Sequence, residues 1–181
     1  MTKAKSNVVT DFVAPIGVLT AICLVMSLLL ALTNFATRDA IAEAELKETQ
    51  EAMTKVMPGA NGFTPIPVDN LPENITEVYK ANSGVGYVFM IVSDGYGGRD
   101  TLNMVCGIGM DGTITATKVI SHEEDPGMGS RVADDEFRSQ FPGKDAALEG
   151  VDTISGSTVS STYYINAIKD AFTAYDMVKE G

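Results

Sequence analysis

The sequence of 181 residues contains no tryptophan, one histidine and two cysteines. With His122 as the sole imidazole, a zinc site would need mostly carboxylate ligands, which is uncommon, so we predict no metal site. Cys23 lies in a long apolar run and Cys106 in a predicted strand, so we predict two free thiols rather than a disulfide. A hydrolase is the weakest class, because the chain has no Gly-x-Ser-x-Gly elbow and its one histidine would have to activate a distant serine.

Positive charge is also scarce. The formal net charge of the chain is −11, and Lys3, Lys5 and Asp11 are the only charged residues that precede the long apolar run. The remainder therefore carries 23 acidic and 11 basic side chains, a formal charge of −12. A surface of this sign repels phosphate backbones, and no cluster of lysine or arginine provides a local exception. We predict no nucleic-acid partner.

A long hydrophobic run lies near the N-terminus. Residues 12–37 contain no charged side chain, and residues 16–32 are almost entirely apolar. About 20 helical residues cross a hydrocarbon core, so we predict a transmembrane helix over residues 12–37, in contact with membrane lipid. A cleaved signal peptide is the alternative, but the apolar core of a signal peptide has roughly 7–15 residues, fewer than this run.

The charges that flank this run predict its orientation. Lys3 and Lys5 lie before it, whereas Arg38 is followed at once by Asp39 and further acidic residues. Positive residues stay on the cytoplasmic side of a membrane. We therefore expect residues 1–11 in the cytoplasm, a single pass through the cell (inner) membrane, and the rest of the chain on the outer or periplasmic side.

The segment after the run has helical composition and then breaks. Residues 38–58 are rich in Ala, Glu, Leu, Lys and Met, and Pro58 with Gly59 ends the pattern. We predict a juxtamembrane helix there. The following segment, which contains Pro65, Pro67 and Pro72, is predicted to be a loop.

The remaining chain predicts strands followed by a helix. Residues 86–93, 101–110 and 113–121 are β-branched and aromatic runs, and the last two are joined by Asp111 and Gly112, a strong hairpin signal. We predict a β-meander, then a short helix or turn near residues 134–141. A final helix over residues 159–178 places four apolar side chains on one face: Tyr164, Ile168, Phe172 and Tyr175. Residues 59–181 thus form a small α+β domain.

Five hydroxyls surround Gly156 directly before the final helix. They belong to Ser155, Ser157, Thr158, Ser160 and Ser161. Unpaired N–H groups and the helix dipole at a helix start can hold a phosphate without lysine or arginine, and glycine allows close approach. Ordinary N-capping by serine is the alternative, although one cap explains only one hydroxyl.

This stretch resembles a known family. Residues 152–158, Asp-Thr-Ile-Ser-Gly-Ser-Thr, are similar to the flavinylation motif Asp-x-x-Ser/Thr-Gly-Ala-Thr of the FMN-binding domain family, with Ser157 where alanine is usual. The family includes the G subunit of Rnf electron-transport complexes and the C subunit of the sodium-translocating NADH:quinone reductase. In it a flavin transferase joins FMN from FAD to the final threonine. The resemblance implies covalent FMN on Thr158, with Ser155, Gly156, Ser157, Ser160 and Ser161 around it.

A second stretch agrees with the first. Residues 121–129 are similar to the family's His-x-Glu-Thr-Pro-Gly-Leu-Gly segment, with Asp125 and Met128 in place of threonine and leucine. Because this segment lies by the flavin ring in the family, the resemblance implies FMN contacts and leaves His122 a structural role. The implied contacts are Glu124, Gly127, Met128 and Gly129. A Pro-Gly turn with solvated acids is the alternative.

The resemblance covers nearly the whole chain. It implies a membrane-anchored electron-transfer subunit of an Rnf-type ion-translocating ferredoxin:NAD+ oxidoreductase complex, with the other membrane and peripheral subunits and a flavin transferase as partners. No catalytic residue is implied, because the flavin supplies the chemistry. The C subunit of the quinone reductase, a module holding a free phosphorylated ligand, and a non-redox scaffold remain alternatives. We expect Tyr87, Phe89 and Tyr96 in the core or on strand faces rather than against the ring.

Overall fold

The computed structural model describes residues 13–179, apart from the side chain of Arg99. The predicted cytoplasmic residues 1–11 and the first residue of the predicted span, Phe12, lie outside the described part. The chain divides into two compact units, one ending at Leu46 and the other beginning at Lys47.

Helix α1, Ala14–Val56, contains both the predicted membrane segment and the predicted juxtamembrane helix as one continuous helix. Pro15 lies in its first turn, where the missing N–H needs no partner, and Pro58 follows its end. Up to Phe35 its large apolar side chains are exposed. Among the described helices, α1 alone is long and apolar enough to cross a membrane.

Within the described residues, five strands form one antiparallel sheet whose spatial order follows the chain. The predicted meander is therefore confirmed. Each strand pairs with the next because the connections between them are too short for a crossover. The strands are β1 Phe63–Ile66, β2 Ile75–Ala81, β3 Gly86–Gly95, β4 Gly98–Gly109 and β5 Ile114–His122.

The segment predicted to be a loop is one at Pro67 and Pro72, but the prediction was wrong at Pro65, which lies in β1, and strand β2 was not predicted. Pro65 cannot donate a ladder hydrogen bond, but β1 is an edge strand that pairs only with β2, where proline is tolerated. In β2 the register shifts between Ile75 and Glu77. This irregularity places the buried residues Ile75 and Val78 three positions apart, which hides the period of two.

The predicted hairpin at Asp111 and Gly112 is confirmed. Gly112 has a φ of +80°, the left-handed conformation that such a turn requires. Gly109 N–H donates to Thr113 O at 2.8 Å. Asp111 Oδ1 accepts bonds from Thr113 N–H at 3.1 Å and from its hydroxyl at 3.0 Å. These bonds to Thr113 lower the pKa of the Asp111 carboxyl.

Helix α3, Thr158–Lys179, covers one face of the sheet and confirms the predicted apolar stripe. Its buried residues pack with β3 and β4 and with Phe137 of the short helix α2, Asp135–Arg138. A 3-10 turn, Gly129–Ala133, precedes α2. The four predicted positions are all nearly inaccessible: Tyr164, Ile168, Phe172 and Tyr175.

The C-terminal turns of α1 cover the opposite face of the sheet. Ala52, Met53 and Val56 are buried there against strand residues that include Val88 and Val105. Both sheet faces therefore contribute to a core, as expected for an α+β domain.

The described cysteines are both free, as predicted. Cys106 is buried in β4, and burial raises the pKa of its thiol, which leaves it unreactive. Cys23 is exposed on α1.

Candidate functional site

Helix α3 begins without a side-chain cap from Ser157, in contrast to the alternative interpretation of this turn. Its first intrahelical bond runs from Ser161 N–H to Ser157 O at 3.0 Å, so Ser157 holds the N-cap position. The N–H groups of Thr158, Val159 and Ser160 precede that bond and lack an intrahelical acceptor. Ser157 Oγ is buried and forms no hydrogen bond within the described residues. Capping therefore does not explain this serine.

Gly156 gives the loop its bend. Its φ of +83° is in the left-handed region, which disfavours any residue with a side chain. A Cβ at this position would meet no described atom within 4 Å. The space beside Gly156 is thus open to a ligand, and Ser157 N–H closes the turn onto Ile154 O at 2.9 Å.

Two hydroxyls of the first turn form hydrogen bonds with other groups of the protein. Ser161 Oγ donates to Ser157 O at 2.8 Å and accepts Ile154 N–H at 3.2 Å. Ser160 Oγ donates to Glu124 Oε2 at 2.5 Å. Both serines are fully buried, so their role is to hold the turn.

Thr158 differs from these serines because its side chain is exposed. Its Oγ1 lies 3.5 Å from Ile154 O, which is the outer limit of a hydrogen bond. The hydroxyl is therefore available at the first residue of the helix, beside the unpaired N–H groups.

A cavity of about 330 Å³ lies between this turn and the predicted second stretch. Its volume is within the range of small-molecule sites. Tyr96, in the turn between β3 and β4, is 67% exposed and also lines the cavity, which corrects the expectation for this residue. Tyr87 and Phe89 are in the core as expected. The lining residues are Tyr96, Asp125, Met128, Gly129, Gly156, Ser157, Thr158, Val159 and Ser160.

The second stretch contributes a tight turn and part of the cavity lining. Met128 and Gly129 line the cavity, and Met128 is 57% exposed. Gly127 has a φ of +79° and serves the turn, in which its N–H donates to Ser130 Oγ at 2.9 Å. His122 Nδ1 accepts Glu124 N–H at 3.3 Å. His122 thus makes the structural contact expected of it.

Glu124 lies behind the cavity wall, because it is 5% exposed and is outside the lining. Its carboxylate accepts the hydroxyl bond of Ser160 on one oxygen and that of Thr101, at 3.2 Å, on the other. Gly95 and Gly129 face it, and a Cβ at either would come within 2 Å of a carboxylate oxygen. Sequence reasoning missed Thr101 and Gly95, although the Gly-rich turn after β3 was a signal of close approach.

Two side chains outside the motif hold its N-terminal part. Gln140 accepts Asp152 N–H at 2.8 Å and donates to Asp152 O at 3.3 Å, as a paired strand would. Arg131 Nη1 donates to Ser155 O at 3.1 Å. Ser155 and Arg131 line a separate cavity of about 190 Å³. Sequence reasoning missed Arg131 and Gln140, since neither has a motif.

The chemistry of the 330 Å³ cavity suits a ligand with an anionic end and an aromatic end. Unpaired N–H groups at the start of α3 and the unpaired Ser157 hydroxyl can donate to phosphate oxygens. Tyr96, Met128 and Val159 offer exposed apolar surface to a flat ring. Among the described residues, no group of three or more His, Cys, Asp or Glu side chains could hold a metal ion.

Comparison with known proteins identifies such a ligand. The family model of the FMN-binding domain matches residues 95–173, which include both stretches and the turn carrying Tyr96. FMN has a phosphate at one end and a fused aromatic ring at the other, so the residues present fit it. The sequence and the cavity define a membrane-anchored FMN-binding domain.

The relatives of the whole chain narrow this class. The G subunit of the ion-translocating oxidoreductase complex of Methanosarcina acetivorans is 30% identical over 93% of this chain and 95% of the relative. The G subunit of the Na(+)-translocating ferredoxin:NAD(+) oxidoreductase complex of Acetobacterium woodii is 32% identical over 92% and 86%. The proton-translocating counterpart of Clostridium ljungdahlii is 25% identical over 84% and 85%. The chain belongs to the family of G subunits of ion-translocating oxidoreductase complexes.

Proposed function

We propose that this chain is the FMN-carrying electron-transfer subunit of an Rnf-type ion-translocating ferredoxin:NAD+ oxidoreductase complex, with FMN bound covalently to Thr158. The other membrane and peripheral subunits of that complex are its partners. Two relatives carry this activity in their names, one with Na+ and one with protons. The observation that carries the attachment site is the exposed Thr158 hydroxyl, on the cavity wall and beside three unpaired N–H groups.

Attachment uses Thr158 as an acceptor. A flavin transferase forms the bond between Thr158 Oγ1 and the phosphorus of the FMN half of FAD. The diphosphate bond breaks, AMP leaves, and the hydroxyl proton passes to solvent. Unpaired N–H groups at the start of α3 stabilise the phosphate charge, and Gly156 leaves room for its approach. Ser157 lies beside the phosphate and Ser155 precedes the bend at Gly156, whereas Ser160 and Ser161 hold the turn.

Bound FMN accepts and donates electrons, and the protein holds it and shields it. We place the ring against the exposed side chains of Met128, Tyr96 and Val159 and against the buried Gly129 in the cavity lining. Gly127 acts through the turn. A covalent phosphoester keeps the cofactor on a domain outside the cytoplasm, where lost FMN would not be replaced.

The proposal includes the orientation of the chain. Lys3 and Lys5 before the span, and Asp39 with other acids after it, favour a cytoplasmic N-terminus and an FMN domain on the outer or periplasmic side. The apolar surface of α1 up to Phe35 lies in membrane lipid. Residues 59–181, together with the end of α1, form the FMN domain.

Mass mapping of the full chain, produced together with a flavin transferase, tests the attachment site. The peptide with Thr158 should gain about 438 Da, the mass of FMN less the water lost on ester formation. Thr158→Val should lose this gain and remain folded. Thr162→Val is the matched control, because Thr162 is also exposed and lies one helical turn later. FMN retained in Thr158→Val at normal stoichiometry would refute the proposal.

A second candidate is a module that holds a free phosphorylated ligand at the same helix start. The unpaired Ser157 hydroxyl is compatible with this candidate as well, since the donor can serve an anion whether or not the anion is covalently bound. Denaturation in dodecyl sulfate distinguishes the two functions. Flavin fluorescence that migrates with the chain supports the covalent subunit, and fluorescence released from the chain supports the binding module.

A further inference from the structure

Glu124 is the most deeply buried carboxylate described near the cavity, and the contacts around it are specific. Its Oε1 accepts the Thr101 hydroxyl bond at 3.2 Å, which ties it to the hairpin of β3 and β4. Its Oε2 accepts the Ser160 hydroxyl bond at 2.5 Å, which ties it to the first turn of α3. A buried carboxylate is costly unless its oxygens are paired, and these two hydroxyls pair both.

The backbone around Glu124 is shaped to admit its carboxylate. A Cβ on Gly95 would lie 1.7 Å from Oε1, and a Cβ on Gly129 would lie 1.9 Å from Oε2. Neither glycine has a positive φ. Space for the carboxylate, rather than backbone conformation, is therefore the reason for glycine at both positions.

The carboxylate thus joins the two walls of the cavity. Gly129 and Met128 belong to one wall, while Ser160 and Thr158 belong to the other. Among the described side-chain hydrogen bonds, the one from Ser160 to Glu124 links the first turn of α3 to residues 122–129. Its length and burial make it stronger than a surface contact.

We propose that Glu124 is a positioning residue for FMN attachment. Through its hydrogen bond with Ser160 it holds the first turn of α3, and with it Thr158, at a fixed distance from the cavity wall formed by Met128 and Gly129. This rests on the proposed function for the chemistry at Thr158. Glu124 itself does not touch the cofactor, in contrast to the contact that the resemblance implied. Its role is to set the width of the cavity before flavin binds.

The test compares attachment rates in full-length chains treated with flavin transferase and FAD. Glu124→Leu keeps the volume but removes both acceptors, and Ser160→Ala removes the donor. Each should slow attachment about tenfold, the factor that corresponds to one lost bond to a charged group. The double variant should be no slower than Glu124→Leu alone, since Glu124→Leu already breaks the link that Ser160→Ala removes.

A conservative variant separates positioning from general packing. The amide of Glu124→Gln can still pair with both hydroxyls, so it should attach FMN within about twofold of wild type. Ser93→Ala is the control for loss of a buried hydroxyl, because Ser93 is buried but lies outside the lining. It should attach FMN at the wild-type rate. Wild-type rates in both Glu124→Leu and Ser160→Ala would overturn the proposal.

Amide hydrogen exchange on the flavin-free chain tests, independently of FMN attachment, whether the bond between Ser160 and Glu124 holds the two cavity walls together. Ser160→Ala should raise exchange together in residues 125–129 and in the first turn of α3, with β3 and β4 unchanged. Exchange raised in α3 alone, or in neither segment, would overturn the proposal. If the wild-type chain takes up no FMN at Thr158, the proposed function fails. The exchange measurement still tests the positioning role of Glu124 in that case.

Discussion

Helix α3 buries side chains both at its start and along the rest of its length, but the two sets differ chemically. The first turn buries Ser157, Ser160 and Ser161, whereas the rest of the helix buries only apolar and aromatic residues from Tyr164 to Tyr175. The later half is stabilised mainly by apolar packing, although the Tyr175 hydroxyl donates to Met110 O at 3.2 Å and the Tyr164 hydroxyl is buried without a described partner. In the first turn each buried hydroxyl needs a partner, and one of the three has none among the described residues.

This difference shows how burial and function can be separated on one element. Ser160 and Ser161 are satisfied by Glu124 and by backbone atoms, so they are structural. Ser157 is buried without a described partner, and Thr158 is exposed with an available hydroxyl. Ser157 and Thr158 both line the cavity, so the first turn offers it one buried hydroxyl without a described partner and one exposed hydroxyl. The following predictions test that contrast.

Gly156→Val should have the largest effect. It strains a left-handed residue and fills the open space beside the cavity, so FMN attachment should fall about a hundredfold, or roughly 3 kcal/mol. Gly143→Val is the matched control, because Gly143 has a φ of +79° and no described atom within 4 Å of a Cβ, yet lies outside the cavity. Urea unfolding should show equal stability loss in both variants, whereas mass spectrometry should show FMN loss only in Gly156→Val. Equal attachment in the two variants would contradict this.

Ile168→Ala should weaken the apolar half without affecting the site. Ile168 is fully buried against the sheet, so its truncation should cost about 3 kcal/mol of unfolding free energy. Urea unfolding of the detergent-solubilised chain, followed by circular dichroism, measures this. The folded fraction should attach FMN at the wild-type rate. Slow attachment there would mean that the two halves of α3 are not independent.

Ser161→Ala and Ser157→Ala should differ although both remove a buried hydroxyl. Ser161 Oγ bonds to Ser157 O and to Ile154 N–H, so its loss should cost about 2 kcal/mol. Ser157 Oγ has no described partner, so its loss should leave the urea midpoint of the flavin-free chain unchanged. Alanine at this position matches the family motif, so attachment should persist. A stability loss in Ser157→Ala would reveal a partner.

The smallest effect should be a pH dependence at the turn between β4 and β5, outside the cavity. Bonds from Thr113 lower the pKa of Asp111 below its ordinary value of 3.8. The native state therefore binds a proton at Asp111 less tightly than the unfolded state does. The ionised Asp111 carboxylate stabilises the folded state above pH 3.8, and this contribution is lost as the pH falls through the folded pKa. Relative to Asp111→Asn, the urea midpoint should be higher at pH 6, and the difference should disappear as the pH falls below the folded pKa of Asp111. An advantage that persists at the lower pH would contradict the assignment.

Much of the fold could be predicted from local signals. The apolar run predicted α1, and the Asp111 and Gly112 pair predicted the hairpin, because a turn signal acts on its own neighbours. The apolar spacing from Tyr164 to Tyr175 predicted the buried face of α3 for the same reason. Strands β1 and β2 were missed. Whether a strand tolerates Pro65, and where the register shifts near Glu77, depends on which strand pairs with it, and local sequence does not show this.

The candidate site could be predicted in part. Hydroxyls around Gly156 and the similarity to a flavinylation motif located one wall of the cavity. Tyr96 was expected in the core, but it lies in a turn whose position depends on how β3 and β4 pair. Arg131 and Gln140 hold the motif through contacts that no local pattern encodes.

The sequence alone determined the long apolar helix, the acidic character of the residues that follow it and the hydroxyl-rich turn with Thr158 at the start of a helix. These follow from composition and from interactions within a few residues. Only the tertiary structure decided that Glu124 lies behind the cavity rather than in it. There it is hydrogen-bonded to Ser160, which is 36 positions away in the chain. A buried carboxylate is placed by whichever hydroxyls can satisfy it, and only folding brings them together.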